Sequence, residues 1–192
     1  MADQKPRIFQ DSRDIVVSLL VVVGLMVPMV AFTGMCSFDR GTPENGPVQK
    51  VDATQIFSME ARAMNFPLRL PETPEGWTTN SARRTTVNKQ PATVVGWITQ
   101  EGAYLQLMQT DQPLDKAVQD VDEHGRTEQQ AQLIDGQEFR IYTSQEKNVR
   151  DVWAADLGNV RLIFSGTAGP AEFETIARNT LQAEPLPGKG SN

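Results

Sequence analysis

The chain has a single histidine, His124. It stands in the cluster that most resembles a chemical site, Asp120-x-Asp122-Glu123-His124-Gly125. Oxygen ligands at alternate positions followed by glycine are how a calcium loop opens, but such a loop closes with a bidentate glutamate at its twelfth position. Ala131 stands there. The segment therefore reads as an acidic, solvated helix end with His124 near the last carbonyls, where positive charge is favoured. Gly166 and Gly169 precede a helical stretch and suggest an anion cradle. The Lys and Ser/Thr of a phosphate loop do not follow them in order. The aromatics Trp77, Trp97, Trp153, Tyr104 and Tyr142 are of the kind that stacks on sugars, yet their places on strands point to the core. Carboxylate pairs such as Glu72/Glu75 or Glu101/Asp111 suit glycoside hydrolysis only if their separation is right, and nothing in the sequence fixes it. A single cysteine, Cys36, excludes an intramolecular disulfide and a thiolate zinc site. The sequence thus assigns no catalytic, cofactor-binding or metal-ligating residue, and no cofactor.

The elements that must position these residues begin near Asp52. Asp52 and Gln55 resemble a capping pair, and Ile56, Phe57, Ala61, Ala63 and Met64 form one apolar side of a short helix. Strands follow: Trp77–Thr86, polar and at an edge, then Thr93–Thr99 and Ala103–Thr110 around a tight turn at Gln100-Glu101-Gly102. Pro113 opens a helix with Leu114, Ala117, Val118 and Val121 on one face, and Gly125 suits the position just past its end. Strands then recur at Gln137–Ser144, Asp151–Asp156 and Val160–Ser165, the last two joined by Gly158-Asn159. A closing helix starts at Pro170, with Phe173, Ile176, Ala177 and Leu181 inward and Glu172 and Glu174 in its first turn. Pro185 and Pro187 end the ordered chain.

The two halves align at an offset of 56: Arg84 with Arg140, Trp97 with Trp153, Gly102 with Gly158, and Pro113 with Pro170 after one inserted residue. Leu105 then falls opposite Arg161, which is a fault in the match. The pattern predicts an α+β fold, an antiparallel sheet of about six strands with helices packed on one face and a βββα repeat.

Ahead of this domain, the run from Ile15 to Phe38 carries no charge. As a helix rising about 1.5 Å per residue it reaches roughly 36 Å, enough for a hydrocarbon core of about 30 Å. A cleaved signal peptide is the rival reading, but the run exceeds a signal core of roughly 7–15 residues and no A-x-A site follows. Lys5, Arg7 and Arg13 precede the run and Arg40 and Lys50 follow it, which favours an inner N-terminus. The expected organisation is a cytoplasmic tail over 1–14, a transmembrane helix over 15–38, a linker over 39–51, an extracytoplasmic domain over 52–185 and a disordered tail over 186–192. The tail is neutral, so the whole net charge of −6 lies after the apolar run. Such a domain is a poor partner for phosphate backbones, which excludes nucleic acid.

In this layout, Phe66-Pro67, Pro74-Glu75-Gly76-Trp77-Thr78, Trp97…Gly102-x-Tyr104, Asp135-Gly136 and Phe164-Ser165-Gly166-Thr167-Ala168 occur in order over roughly residues 10–182. The chain resembles domain of unknown function 4245, an actinobacterial family with a short tail and single anchor. The resemblance implies an envelope protein with its domain outside the cell, and it implies no activity. The sequence reading is a non-enzymatic binding module held at the cell membrane, with an envelope protein or wall component as partner. A small hydrolase of wall polysaccharide or lipid is the alternative, and an accessory subunit of a membrane complex differs from the first only in its partner.

Overall fold

The computed structural model describes residues 12–32, 50–122, 124–186 and 188–189. The chain divides into two units, Met1–Gly46 and Pro47–Asn192. In the first, helix α1 spans Ser12–Phe32 with Pro28 inside it. Its side chains over residues 15–29 are exposed on every side. Among the described residues no helix is long and apolar enough to cross a membrane. Residues 33–38 of the expected span, Cys36 among them, lie outside the described residues, as do residues 1–11 and 39–49.

The second unit is built on one sheet. Helix α2 (Ala53–Ala61) leads to strands β1 (Thr78–Val87), β2 (Gln90–Ile98) and β3 (Tyr104–Thr110). After helix α3 (Leu114–Gln119) come β4 (Thr127–Ile134), β5 (Gln137–Thr143), β6 (Val152–Asp156), β7 (Arg161–Gly166) and helix α4 (Pro170–Gln182). The strands form a seven-stranded sheet, every pair antiparallel, in the order β1-β2-β3-β7-β6-β5-β4. The sheet is thus one strand larger than the sequence suggested, the addition being β4. Its turn carries the reason it exists. Asp135 and Gly136 both take positive φ, 49° and 84°, the two-residue turn whose twist matches antiparallel strands. Asn88 and Lys89 do the same between β1 and β2, at 49° and 63°.

Alternation along the strands gives the sheet two apolar faces. On one, Val95, Trp97, Leu107, Phe164 and Trp153 join Phe57 of α2 and Phe173, Ile176 and Ala177 of α4. On the other, Val94, Met108, Ala154 and Ile163 meet Ala117 and Val118 of α3. The helices therefore lie on both faces, which corrects the one-face expectation. Connectivity explains this. β3 ends at the sheet's centre and β4 lies at its far edge, so the chain must cross the sheet, and α3 does so over β7 and β6. It is also shorter than the Leu114–Val121 pattern: Asp120 is its C-cap, and Gly125 plays no part in its end. At α2 the Asp52 cap is present, with Oδ1 accepting from the N–H of Thr54 (3.1 Å) and Gln55 (3.3 Å). The helix closes at Ala61, leaving Ala63 exposed and Met64 buried.

The repeat is visible in the sheet order, where β1-β2-β3 mirrors β5-β6-β7 across the β3–β7 seam. Leu107 pairs with Phe164 at that seam, and an offset of 57 there sets Leu105 with Leu162 rather than Arg161. The tryptophans do not occupy matching rungs. Trp97 stands opposite Leu105, while the rung opposite Leu162 holds Ala155, and Trp153 faces Phe164. With α3 and α4 on opposite faces, the two halves repeat as strands only.

Candidate binding groove

A concavity of about 780 Å³ lies between the start of α2, the 70–73 segment and the chain around Glu184–Leu186. Its walls are held from several sides. Gln109 of β3, fully buried, accepts from the Arg69 N–H and donates to the Arg69 carbonyl, both at 2.7 Å. The Arg69 guanidinium donates to the carbonyls of Leu181 (3.0 Å) and Ala183 (2.7 Å), at the end of α4 where unpaired carbonyls and the helix dipole favour a cation. Leu68 and Leu186 exchange N–H···O bonds of 3.0 and 2.7 Å. The Lys189 N–H reaches the Met64 carbonyl at 2.6 Å. Backbone pairing thus runs past Pro185, where the ordered chain was expected to end.

The groove lining combines Val51, Ala53, Leu70, Pro71 and Leu186 with a rim of Lys50, Asp52, Glu72 and Glu184. Of its four lining hydroxyls, those of Ser58, Thr73 and Thr79 have partners within the protein. Ser58 Oγ donates to the Thr54 carbonyl at 2.7 Å. Thr73 and Thr79 share a hydrogen bond of 2.9 Å, and the Trp97 indole N–H donates to Thr73 Oγ1 at 3.3 Å. Among the described lining residues there is no histidine, and Lys50 is the one lysine.

Of the residues singled out from sequence, Glu72 stands on this rim, and Asp122, His124, Tyr104 and Gly166 meet at a second, smaller groove. Asp120 accepts from the Asn88 N–H at 3.2 Å. Asp122 forks onto Arg126 at 2.6 and 2.8 Å. His124 Nδ1 meets Glu146 at 3.0 Å. Glu123 lies outside the described residues, and Ala131 sits within β4, so the twelfth position belongs to a strand and not to a loop. The Arg126 hydrogen bond, with smaller help from the His124 N–H and the Arg126 charge, outweighs burial and holds the Asp122 carboxyl below its ordinary value of 3.8. Asp122, His124 and Arg126 line a smaller groove of about 320 Å³ with Tyr104 and Thr167.

Trp97 and Trp153 are core residues, 0% and 5% exposed, and Trp153 stacks on Phe173 with centroids 5.5 Å apart. No sugar platform can be made from them. Trp77 is half-buried against the same core. Tyr142 is half-buried on the sheet, where burial, opposed by a hydrogen bond from Arg140, pushes its phenol up. Glu101 and Asp111 flank opposite ends of β3, a strand of roughly 3.4 Å per residue. That puts them well beyond the roughly 5–9.5 Å a glycosidase pair needs. Glu72 and Glu75 are both exposed in the connection before β1. Gly169 N–H donates to Glu172 Oε2 at 2.8 Å, so the start of α4 is capped by its own carboxylate. Gly166 has another role. At φ 153° it brings the chain against β3, where a Cβ would lie 2.8 Å from Leu105 Cα. Thr167 then donates its N–H to the Tyr104 carbonyl (2.6 Å) and accepts the Tyr104 N–H on its hydroxyl (2.7 Å).

Sequence reasoning missed the groove because its lining comes from four separated stretches, and Arg69 and Gln109 carry no motif. The one available signal was Leu-x-Leu before a proline at Leu68–Pro71, an extended segment ahead of the sheet. Fold and groove together define an α+β domain on a single antiparallel sheet with a concavity beside its first helix. The chain belongs to the family described as protein of unknown function (DUF4245), whose model matches residues 7–180. No curated protein and no solved structure matches it.

Proposed function

We propose that this protein is a membrane-tethered binding module of the cell envelope, its domain outside the cell, which holds an envelope protein or wall component in the groove beside α2. The observation that carries the reading is the groove itself. It joins an apolar floor to a rim of three carboxylates and one ammonium, with the hydroxyls of Ser58, Thr73 and Thr79 already engaged. Recognition without a poised nucleophile suits holding rather than turnover. The tether rests on the uncharged run Ile15–Phe38 and on the all-round apolar character of α1 over residues 15–29.

The test uses the full chain in cells. A photo-reactive residue at Thr54 or Ser58 should capture a discrete partner, and the same residue at exposed Gln145 should not. Protease added to wall-stripped cells should digest the domain. A protected domain overturns the topology, and equal capture at all three positions overturns the groove. Turnover of a wall or lipid substrate by the purified protein puts the hydrolase reading first.

A further inference from the structure

We propose that β4 is a docking edge for a second copy of this chain, the two β4 strands pairing antiparallel about a two-fold axis at Gln132. The inference is independent of what the groove holds. The sheet has two edges; α2 packs against β1 and α4 against β4, and among the described residues only β1 takes a backbone hydrogen bond from its outer side. Along β1, α2 packs against the strand, the Val51 N–H donates to the Thr79 carbonyl at 2.9 Å, and Glu60 pairs with Arg84 at 2.7 Å. Along β4, among the described residues, no hydrogen bond reaches the backbone from the outer side.

The two-residue turn at Asp135-Gly136 fixes which groups are offered. Ile134 and Gln137 flank it as a hydrogen-bonded pair, so Ile134 and Gln132 bond inward to β5. The N–H and C=O of Leu133 and Ala131 then point outward. An edge of this kind is usually guarded by lysine, proline or inward charge. Gln130–Ile134 has none of these, and the irregularity between Glu128 and Gln130 lies just outside it.

The stretch also matches itself. A two-fold axis at Gln132 sets Ala131 of each copy opposite Leu133 of the other, so each outward N–H meets an outward C=O. Directly opposed side chains lie roughly 4.5–5.5 Å apart at Cβ. Leu133, at 72% the most exposed large apolar side chain of the sheet domain, is then covered by Ala131 of its mate. The paired stretch is uncharged. The acids that flank it are held at home, Glu128 by Arg140 at 3.7 Å and Asp135 by Arg178 at 3.3 Å. Glu174, which accepts from Gln132 at 3.4 Å, is likewise held by Arg178 at 2.7 Å. A ladder this short covers less than the roughly 1,200 Å² of a standard interface, so the association is weak.

Disulfide trapping in the full chain tests the register, in a Cys36→Ala background. Gln132→Cys should form a covalent dimer on mild oxidation, roughly tenfold or more above Gln145→Cys, since only this register brings the Cα atoms within bonding range. Ala131→Cys and Leu133→Cys should each link poorly alone and well when co-expressed. Ala131→Pro removes only an outward N–H and should abolish it, with circular dichroism unchanged. Equal linking at every position, no linking at Gln132, or capture of a different protein there overturns the proposal.

Discussion

A methyl group at Gly166 has nowhere to go: its neighbours are the Tyr104 carbonyl and Leu105 Cα, backbone atoms of the central strand, and the φ of 153° is one that side chains avoid. Gly166→Ala should therefore destabilise by about 1–3 kcal/mol from backbone strain alone, and by more if β3 must shift. Urea unfolding reads this directly. A wild-type midpoint would show that the β7–α4 turn does not hold the geometry described. Asp122 offers a different readout. Arg126, whose side chain is 3% exposed, depends on it for its charge partner. Because the folded carboxyl titrates below its ordinary 3.8, its contribution is complete above that value and is lost as pH falls through the lower folded value. Asp122→Asn should thus be less stable than wild type at neutral pH, and the gap should narrow below about pH 4. A gap independent of pH would mean that the Asp122–Arg126 pair contributes nothing through charge. His124→Ala should change stability by less than about 0.5 kcal/mol, as exposed substitutions do.

Among the elements, α3 tests the two-faced packing. Val118 and Ile163 share the second face, while Phe173 lies on the first. Val118→Ala and Ile163→Val should couple by about 0.5 kcal/mol or more in a double-mutant cycle, and Val118→Ala should add simply to Phe173→Ala. Simple additivity in both cycles would argue against α3 packing on β7. The elements that sequence disclosed were those whose pattern is set locally. Trp77–Thr86 declared an edge by its polarity, Gln100–Gly102 declared a turn, and Pro170 with Phe173, Ile176 and Ala177 declared α4. β4 was hidden for a physical reason: Thr127–Ala131 are exposed on both faces of an edge, so no alternation marks them. Asp135-Gly136 held the clue, since a turn that needs two positive φ values joins strands on both sides. The face on which each helix lies was not legible, because it depends on the β3-to-β4 crossing and not on any helix's own residues. The groove was illegible likewise, being assembled from α2, Leu70–Thr73 and the chain end.

At the scale of the whole molecule, the question is whether the sheet's two halves are one folding unit. β1-β2-β3 and β4-β5-β6-β7 are each a local meander, joined in the sheet by the six-rung β3–β7 ladder from Leu105/Gly166 to Thr110/Arg161. Two further ties cross the seam. α3 grows out of β3 yet packs on β6 and β7, and Gln109 of β3 fixes Arg69, which in turn caps α4. Neither half can bury its apolar surface without the other, since Leu107 and Phe164 face each other at the seam and lie at 0% exposure. A fragment starting at residue 50 should therefore unfold in a single transition, with tryptophan fluorescence and far-ultraviolet circular dichroism giving the same midpoint. Trp97→Ala and Trp153→Ala should each lower stability by about 3–5 kcal/mol without splitting that transition. A chelator should leave the midpoint in place, because Asp120, Asp122 and His124 are engaged by Asn88, Arg126 and Glu146. Two separated transitions would mean that each meander folds alone and that the seam is an interface between two small domains. A large shift with chelator would mean that those acids hold an ion in solution and that their protein partners are secondary.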